Sequence, residues 1–208
     1  MNMMAGALKA HLWTRAADDH YVEPPWVDAR LFEEEPFEGE ILDPACGFGH
    51  IVAAARRRGH AAFGTDIAWR ADGYVAGLDF LADFPGCARR DGAARLNIVS
   101  NPPFRLFRAF AERALALADG KVAMLWQPGR LTAAHWLRAT PLQRVWHVTP
   151  RPSMPPGAVY QALIETGGKP KGGRGDYCWL VWETGGAFEG RVRWLHRDEG
   201  AVPREAGQ

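Results

Sequence analysis

The 208-residue sequence predicts one α/β domain with helices on both faces of a mostly parallel sheet, and three observations predict it. Strand-length apolar runs alternate with helix-length segments from GEILDPA to KVAMLWQP. The first strand passes into the first helix through a glycine turn, CGFG. The last third breaks the alternation: RVWHVTP and YCWLVWE are aromatic and β-branched strands separated by a long Gly/Pro/Lys-rich stretch.

Each element has its own signal. GEILDPA is a short buried strand, and HIVAAARRRG is a helix closed by Gly59 at its C-terminus. HAAFGTDI is the second strand and YVAGLDFL the third, with room between them for only a short helix. LNIVS and KVAMLWQP are the fourth and fifth, joined by the helix RLFRAFAERALALADG; such alternation requires crossover connections and hence a parallel sheet. The acidic cluster EEEPFEGE, residues 33–40, reads as a solvated connection. The segment 150–176 is too long for an ordinary loop in a compact domain, so it is either functional or disordered. These signals divide the chain into an N-terminal arm (1–40), the domain itself (41–195) and a flexible tail (196–208).

Composition narrows the function. Cys46, Cys87 and Cys178 are odd in number, widely spaced and free of CxxC pairing, which indicates neither a disulfide framework nor a zinc site and suits a reducing cytosol. The N-terminus MNMMAGALKAHLW has no basic region leading into a long apolar stretch, and no run of about 18 apolar residues occurs, so a cytoplasmic chain with no membrane partner is expected. The net charge of +1 hides an asymmetry: residues 1–45 carry three basic and ten acidic residues, leaving the body about +8. That excess permits an anionic partner without requiring one.

The chemistry concentrates at strand ends. Asp43, Gly47 and Gly49 lie where the first strand hands over to its helix, at the carboxyl edge where open α/β sheets bind ligands. Asp66 ends the second strand about 20 residues on, where an acidic side chain can accept bonds from both hydroxyls of a ribose. DPACGFGHI lacks the third glycine of a pyrophosphate-binding turn and begins with a carboxylate that repels phosphate. It suits a cationic ligand, such as a sulfonium or an ammonium.

DPACGFG resembles the first motif, D-P-x-C/F-G-x-G, of the class I S-adenosylmethionine-dependent methyltransferases, specifically the amino-methyltransferases of nucleic acids. The resemblance implies S-adenosylmethionine as cofactor and a Rossmann-like class I methyltransferase sheet, mostly parallel with an antiparallel C-terminal strand. Carried over by position, Asp43, Pro44, Ala45, Cys46, Gly47 and Gly49 line the methionine moiety, and Asp66 with Ile67 holds the ribose side. Asp79 and Phe80 match an Asp-Phe pair that meets the adenine. YVEPPWVDARL resembles a Y-x-x-P segment, here Tyr21 and Pro24, that closes over the cofactor.

SNPPF then has a chemical reading. An exocyclic amine is a poor nucleophile because its lone pair is delocalised into the ring. Asn101 offers a side-chain carbonyl and Pro102 a main-chain carbonyl to its hydrogens; Pro102 and Pro103 keep the loop out of helix, and Phe104 supplies a stacking face. Asn101 also borders the cofactor in this reading. NPP-aromatic sequences occur in DNA, RNA and protein-glutamine methyltransferases. NPPF leans to N6 of adenine over N4 of cytosine, and the economy of the chain resembles compact phage-type enzymes, which favours DNA over RNA. Arg151, Lys169, Lys171 and Arg174 form the candidate target contact, although a hairpin connection would use the same composition. His20 and His50 have no metal-ligand spacing, and no metal is expected. The alternative from another class is a non-catalytic cofactor- or nucleic-acid-binding module. The sequence does not address oligomeric state.

Overall fold

The computed structural model describes residues 20–82, 94–170 and 172–198; Cys87 and the tail beyond residue 198 lie outside them. Eight strands form one sheet: β1 (Glu40–Asp43), β2 (Ala62–Asp66), β3 (Val75–Ala76), β4 (Leu96–Ser100), β5 (Lys121–Trp126), β6 (Leu142–Thr149), β7 (Cys178–Glu183) and β8 (Arg191–His196). Their order across the sheet is β3-β2-β1-β4-β5-β7-β6-β8. Only β7 runs against its neighbours, β5 and β6; every other pairing is parallel. The expected mostly parallel sheet with an antiparallel C-terminal strand is therefore present, with a further parallel strand, β8, outside it.

Among the described residues are four α-helices: α1 (Pro25–Glu34), α2 (His50–Arg57), α3 (Phe107–Leu117) and α4 (Gly157–Glu165). Side-chain alternation along β7 sorts α3 and α1 onto opposite faces of the sheet. Trp182 points to one face, where it meets Phe107 of α3; Phe107 also stacks on Trp126 at 4.1 Å and 5°. Trp179 points to the other face and pairs across the sheet with Trp146, whose indole N–H reaches the end of α1. Both Trp179 and Trp182 have no exposed surface, so the antiparallel strands are core on both sides. Burying such rings supplies roughly 1.5–3 kcal/mol each.

Within the expected N-terminal arm, Pro25 occupies the first position of α1, which favours a helix start there, and Val27, Leu31 and Phe32 belong to the same core as the sheet. Three sequence expectations need correction. The third strand shrinks to Val75–Ala76, because Gly77 turns the chain away at φ +80°. The segment 150–176 encloses α4. EEEPFEGE is not simply solvated: Glu35 is 1% exposed and accepts from Trp146 Nε1 at 2.7 Å, from Arg144 through two nitrogens and from Lys121 Nζ at 3.1 Å. Burial pushes the Glu35 carboxyl up, but the Arg144 and Trp146 hydrogen bonds and the Lys121 charge outweigh it and hold the group below its ordinary range.

Candidate active site

The ends of β1, β2 and β4 meet at the carboxyl edge of the sheet and are tied together by hydrogen bonds. Asp66, at the end of β2, accepts from the Gly47 N–H through Oδ2 at 2.9 Å and from the Ala68 N–H through Oδ1 at 2.9 Å. Asp43, at the end of β1, accepts from the Ser100 hydroxyl at 2.8 Å and the Ala45 N–H at 3.2 Å. Ser100 immediately precedes Asn101, so the glycine turn and the NPPF loop are joined through one buried pair.

A cleft opens between them, lined by Asp43, Ala45, Cys46, Gly47 and Asn101 and roofed by His20, Tyr21, Val22 and Glu23; Phe48, His50 and Ile51 complete it. The roof is a strap fastened to the start of α4: Tyr21 bridges to Pro156, Val22 N–H donates to the Pro155 carbonyl at 2.9 Å, and Gly157 N–H to the His20 carbonyl at 3.0 Å. The His20 ring is wedged between two glycines. A Cβ on Gly47, already at φ +51°, would stand 2.7 Å from His20 Nε2, and one on Gly157 would stand 2.2 Å from Nδ1.

The cleft is acidic. Asp43 is 1% exposed, and burial pushes its carboxyl well up; the charges of Glu23 and Asp66 add to the rise, while the Ser100 and Ala45 bonds oppose it. Behind the strap, Asp28 is wholly buried and neither of its oxygens has a hydrogen-bond partner. Burial, then the charges of Glu23 and Asp43, push it well up too, while the charge of Arg57 opposes. Ligand-type atoms of Glu23, Asp28 and His50 lie within 4.8 Å of one another, a grouping that the sequence spacing does not suggest. His50 is already committed at both ring nitrogens, Nδ1 to the Glu23 carbonyl at 3.0 Å and Nε2 to the Tyr160 hydroxyl at 3.1 Å. One neutral imidazole has one donor and one acceptor, and these two contacts use both.

The remaining predicted residues spread outward. Pro44 and Pro102 are buried, and Pro103 is half-buried. Pro24 caps α1 from the strap side. Gly49, at φ +80°, caps α2. Ile67 stands 64% exposed beyond Asp66. Asp79 closes a turn on Leu81 N–H at 2.9 Å, and Phe80 is 2% exposed, packed on Phe110 of α3. Phe104 is 8% exposed, with the Tyr21 ring parallel to it at 6.3 Å and Tyr177 tilted beside it at 6.1 Å. Arg151 pairs with Asp176 on the surface; Lys169 and Arg174 are exposed, and Lys171 lies outside the described residues. Glu23 escapes sequence reasoning, although Tyr21 and Pro24 beside it do not. Its signal is its place in YVEPP, a carboxylate directly before two prolines where no solvated loop is needed.

No family model matches the chain, and no curated protein matches it. Solved structures do. The 23S rRNA methyltransferase ErmE is 14% identical, with a TM-score of 0.50 over 82% of this chain and 73% of its own. A candidate RNA methyltransferase, PH1948 from Pyrococcus horikoshii, is 12% identical with a TM-score of 0.50, covering 77% of this chain and 81% of its own. A TehB-like S-adenosylmethionine-dependent methyltransferase from Corynebacterium glutamicum is 22% identical with a TM-score of 0.43, covering 76% of this chain and 86% of its own. The first two establish the fold as the open α/β sheet of methyltransferase type.

Proposed function

We propose that the chain is an S-adenosylmethionine-dependent methyltransferase acting on an exocyclic amine, with N6 of adenine in DNA as the acceptor. The observation that carries this reading is that Asn101 lines the same cleft as the Asp43–Gly47 turn. The donor set fits the cofactor: Glu23 and Asp43 put buried carboxylate oxygens where a cation would satisfy them, and the glycine turn leaves room beside the backbone. Asp43 and the turn from Ala45 to Gly49 would hold the methionine end, and Asp66 the ribose. The bound cofactor supplies an electrophilic methyl on a sulfonium. Asn101 and the Pro102 carbonyl accept from the amine hydrogens, and alignment in a dry cleft accounts for most of the acceleration. Phe104 offers its ring between those of Tyr21 and Tyr177 as the face on which a base would stack. A base in duplex DNA must first leave the stack.

RNA is the second reading, favoured by the 23S rRNA methyltransferase among the structures of this architecture. Calorimetric titration with S-adenosylmethionine, followed by transfer of tritiated methyl to DNA, RNA and protein pools, separates these readings from each other and from a module that only binds. Asn101→Ala is expected to bind the cofactor nearly normally and to lose roughly 10²-fold or more in single-turnover rate. Full rate in that variant makes the NPPF loop structural. No heat of cofactor binding in the wild type removes the enzyme reading altogether.

A further inference from the structure

Asn101 has an amide whose two ends are nearly the same shape, so its environment alone decides which end faces the acceptor. Its Nδ2 donates to the main-chain carbonyl of Tyr21 at 2.8 Å and to Glu23 Oε2 at 2.7 Å. Both partners are oxygen acceptors, and each takes one of the two N–H groups. A flipped amide would set Oδ1 against two oxygens and leave Nδ2 on the other side. Glu23 is only 7% exposed, so water competes little for its bond, and a carboxylate acceptor makes that bond one of the stronger kind. Glu23 is fixed in turn: its carbonyl holds His50 Nδ1, and His50 Nε2 is held by Tyr160 of α4.

We propose that Glu23 is a positioning residue that cocks the Asn101 amide, so that Oδ1 and not Nδ2 is presented to the acceptor amine. This rests on the methyl-transfer reading above. Glu23 therefore serves twice: as one of the charges in the cation cleft and as a hydrogen-bond acceptor behind the reacting group. The strap that roofs the cofactor cleft is also what readies the catalytic amide, so the loop after β4 is set for transfer only in molecules whose strap is fastened.

Glutamine separates the two services, because it keeps an acceptor oxygen and loses the charge. In single-turnover methyl transfer at saturating cofactor, Glu23→Ala is expected to slow the rate about 10- to 100-fold, the range for a misplaced reacting group. Glu23→Gln should recover most of the rate lost in Glu23→Ala at saturation, by retention of the acceptor, while binding the cofactor more weakly. Placed in an Asn101→Ala background, Glu23→Ala should cost nothing more, since the two act as one unit. A wild-type rate in Glu23→Ala, or a full additive loss in the Asn101→Ala background, overturns the proposal. Glu23→Met keeps the bulk without the acceptor and gives the same comparison if alanine fails to fold. The orientation itself is read without any turnover from the side-chain amide resonance of Asn101, assigned by its disappearance in Asn101→Ala. Slow hydrogen exchange in wild type and Glu23→Gln but fast exchange in Glu23→Ala and Glu23→Met is expected. Equal exchange in all four overturns the geometry even in a protein that methylates nothing, and a protein that shows the exchange pattern but binds no cofactor overturns only the enzyme reading.

Discussion

Helix α1 carries a buried carboxylate near each end, and the two have opposite fates. Glu35, at its C-terminus, is met by a guanidinium, an ammonium and an indole N–H, and is held below the ordinary carboxylate range. Asp28, in its first turn, is as deeply buried, has no partner at either oxygen, and is pushed well above that range together with Asp43. Burial alone therefore says nothing about role. The satisfied carboxylate fastens one face of the sheet to α1. Asp43 lines the cleft and accepts from Ser100 and Ala45, whereas Asp28 lies close to Glu23 of the strap with neither oxygen bonded.

Breaking the satisfied end should cost most. Glu35→Ala leaves the positive charge of Arg144 part-buried without its partner and is expected to destabilise the fold by about 3–5 kcal/mol, read as a lowered midpoint in urea at unchanged m. Next comes the cleft: Asp43→Asn should weaken S-adenosylmethionine by about 1.5–3 kcal/mol in calorimetry, the loss expected for a charge-assisted contact. Its fold should survive, because asparagine resembles the protonated carboxyl that burial already favours.

The two ends should also answer pH in opposite directions. Asp28 and Asp43 have folded-state affinities for protons above their unfolded ones, so their contribution is complete below about pH 4 and is lost as pH rises through the raised values. Glu35 is lowered, so its contribution is present above about pH 4.3 and is lost as pH falls. Thermal melts are expected to show that Asp28→Asn flattens the decline on the alkaline side, whereas Glu35→Gln flattens the loss on the acid side. The rise in melting temperature produced by the cofactor should grow with pH, because the cation and the protons compete for the same oxygens. A rise independent of pH would detach Asp43 and its neighbours from the binding site. The smallest effect is expected on the surface: alanine at Lys169, Lys171 and Arg174 together should reduce nucleic-acid affinity and shrink the salt slope by about 0.9 for each phosphate no longer neutralised. An identical slope removes this segment from the interface.

What the sequence displays depends on how local the cause is. β1, α2, β2, β4, α3 and β5 each carry their own periodicity, and DPACGFG and NPPF are turns whose residues dictate their own backbone, so the framework and two strand-end loops can be read directly. Helix α4 is hidden because Gly157 alone of its nine residues is buried, and the Gly- and Pro-rich segment around it dominates the composition. Strand β8 exposes four of its six residues, Trp194 among them at 66%, and so lacks the alternation of a half-buried strand. Glu35 looks like any solvated acid because its partners lie 86 to 111 residues away. Glu23 is hidden for the same reason: Asn101 is 78 residues distant, and only the folded strap brings them together.

The fastening of the strap to residues 155–157 has a consequence for how a molecule comes to exist. The strap and α1 are made before their partners: those of Tyr21 and Val22 emerge about 130 residues later, and those of Glu35 86 to 111 residues later. Until Lys121, Arg144 and Trp146 have been made, Glu35 has none of these partners, and until residues 155–157 have been made the roof of the cleft has nothing to hold. A nascent or truncated chain can assemble the glycine turn and the NPPF loop, which are local, and still have no closed site around them. The roof of the cleft therefore forms late, only once residues 155–157 have been made.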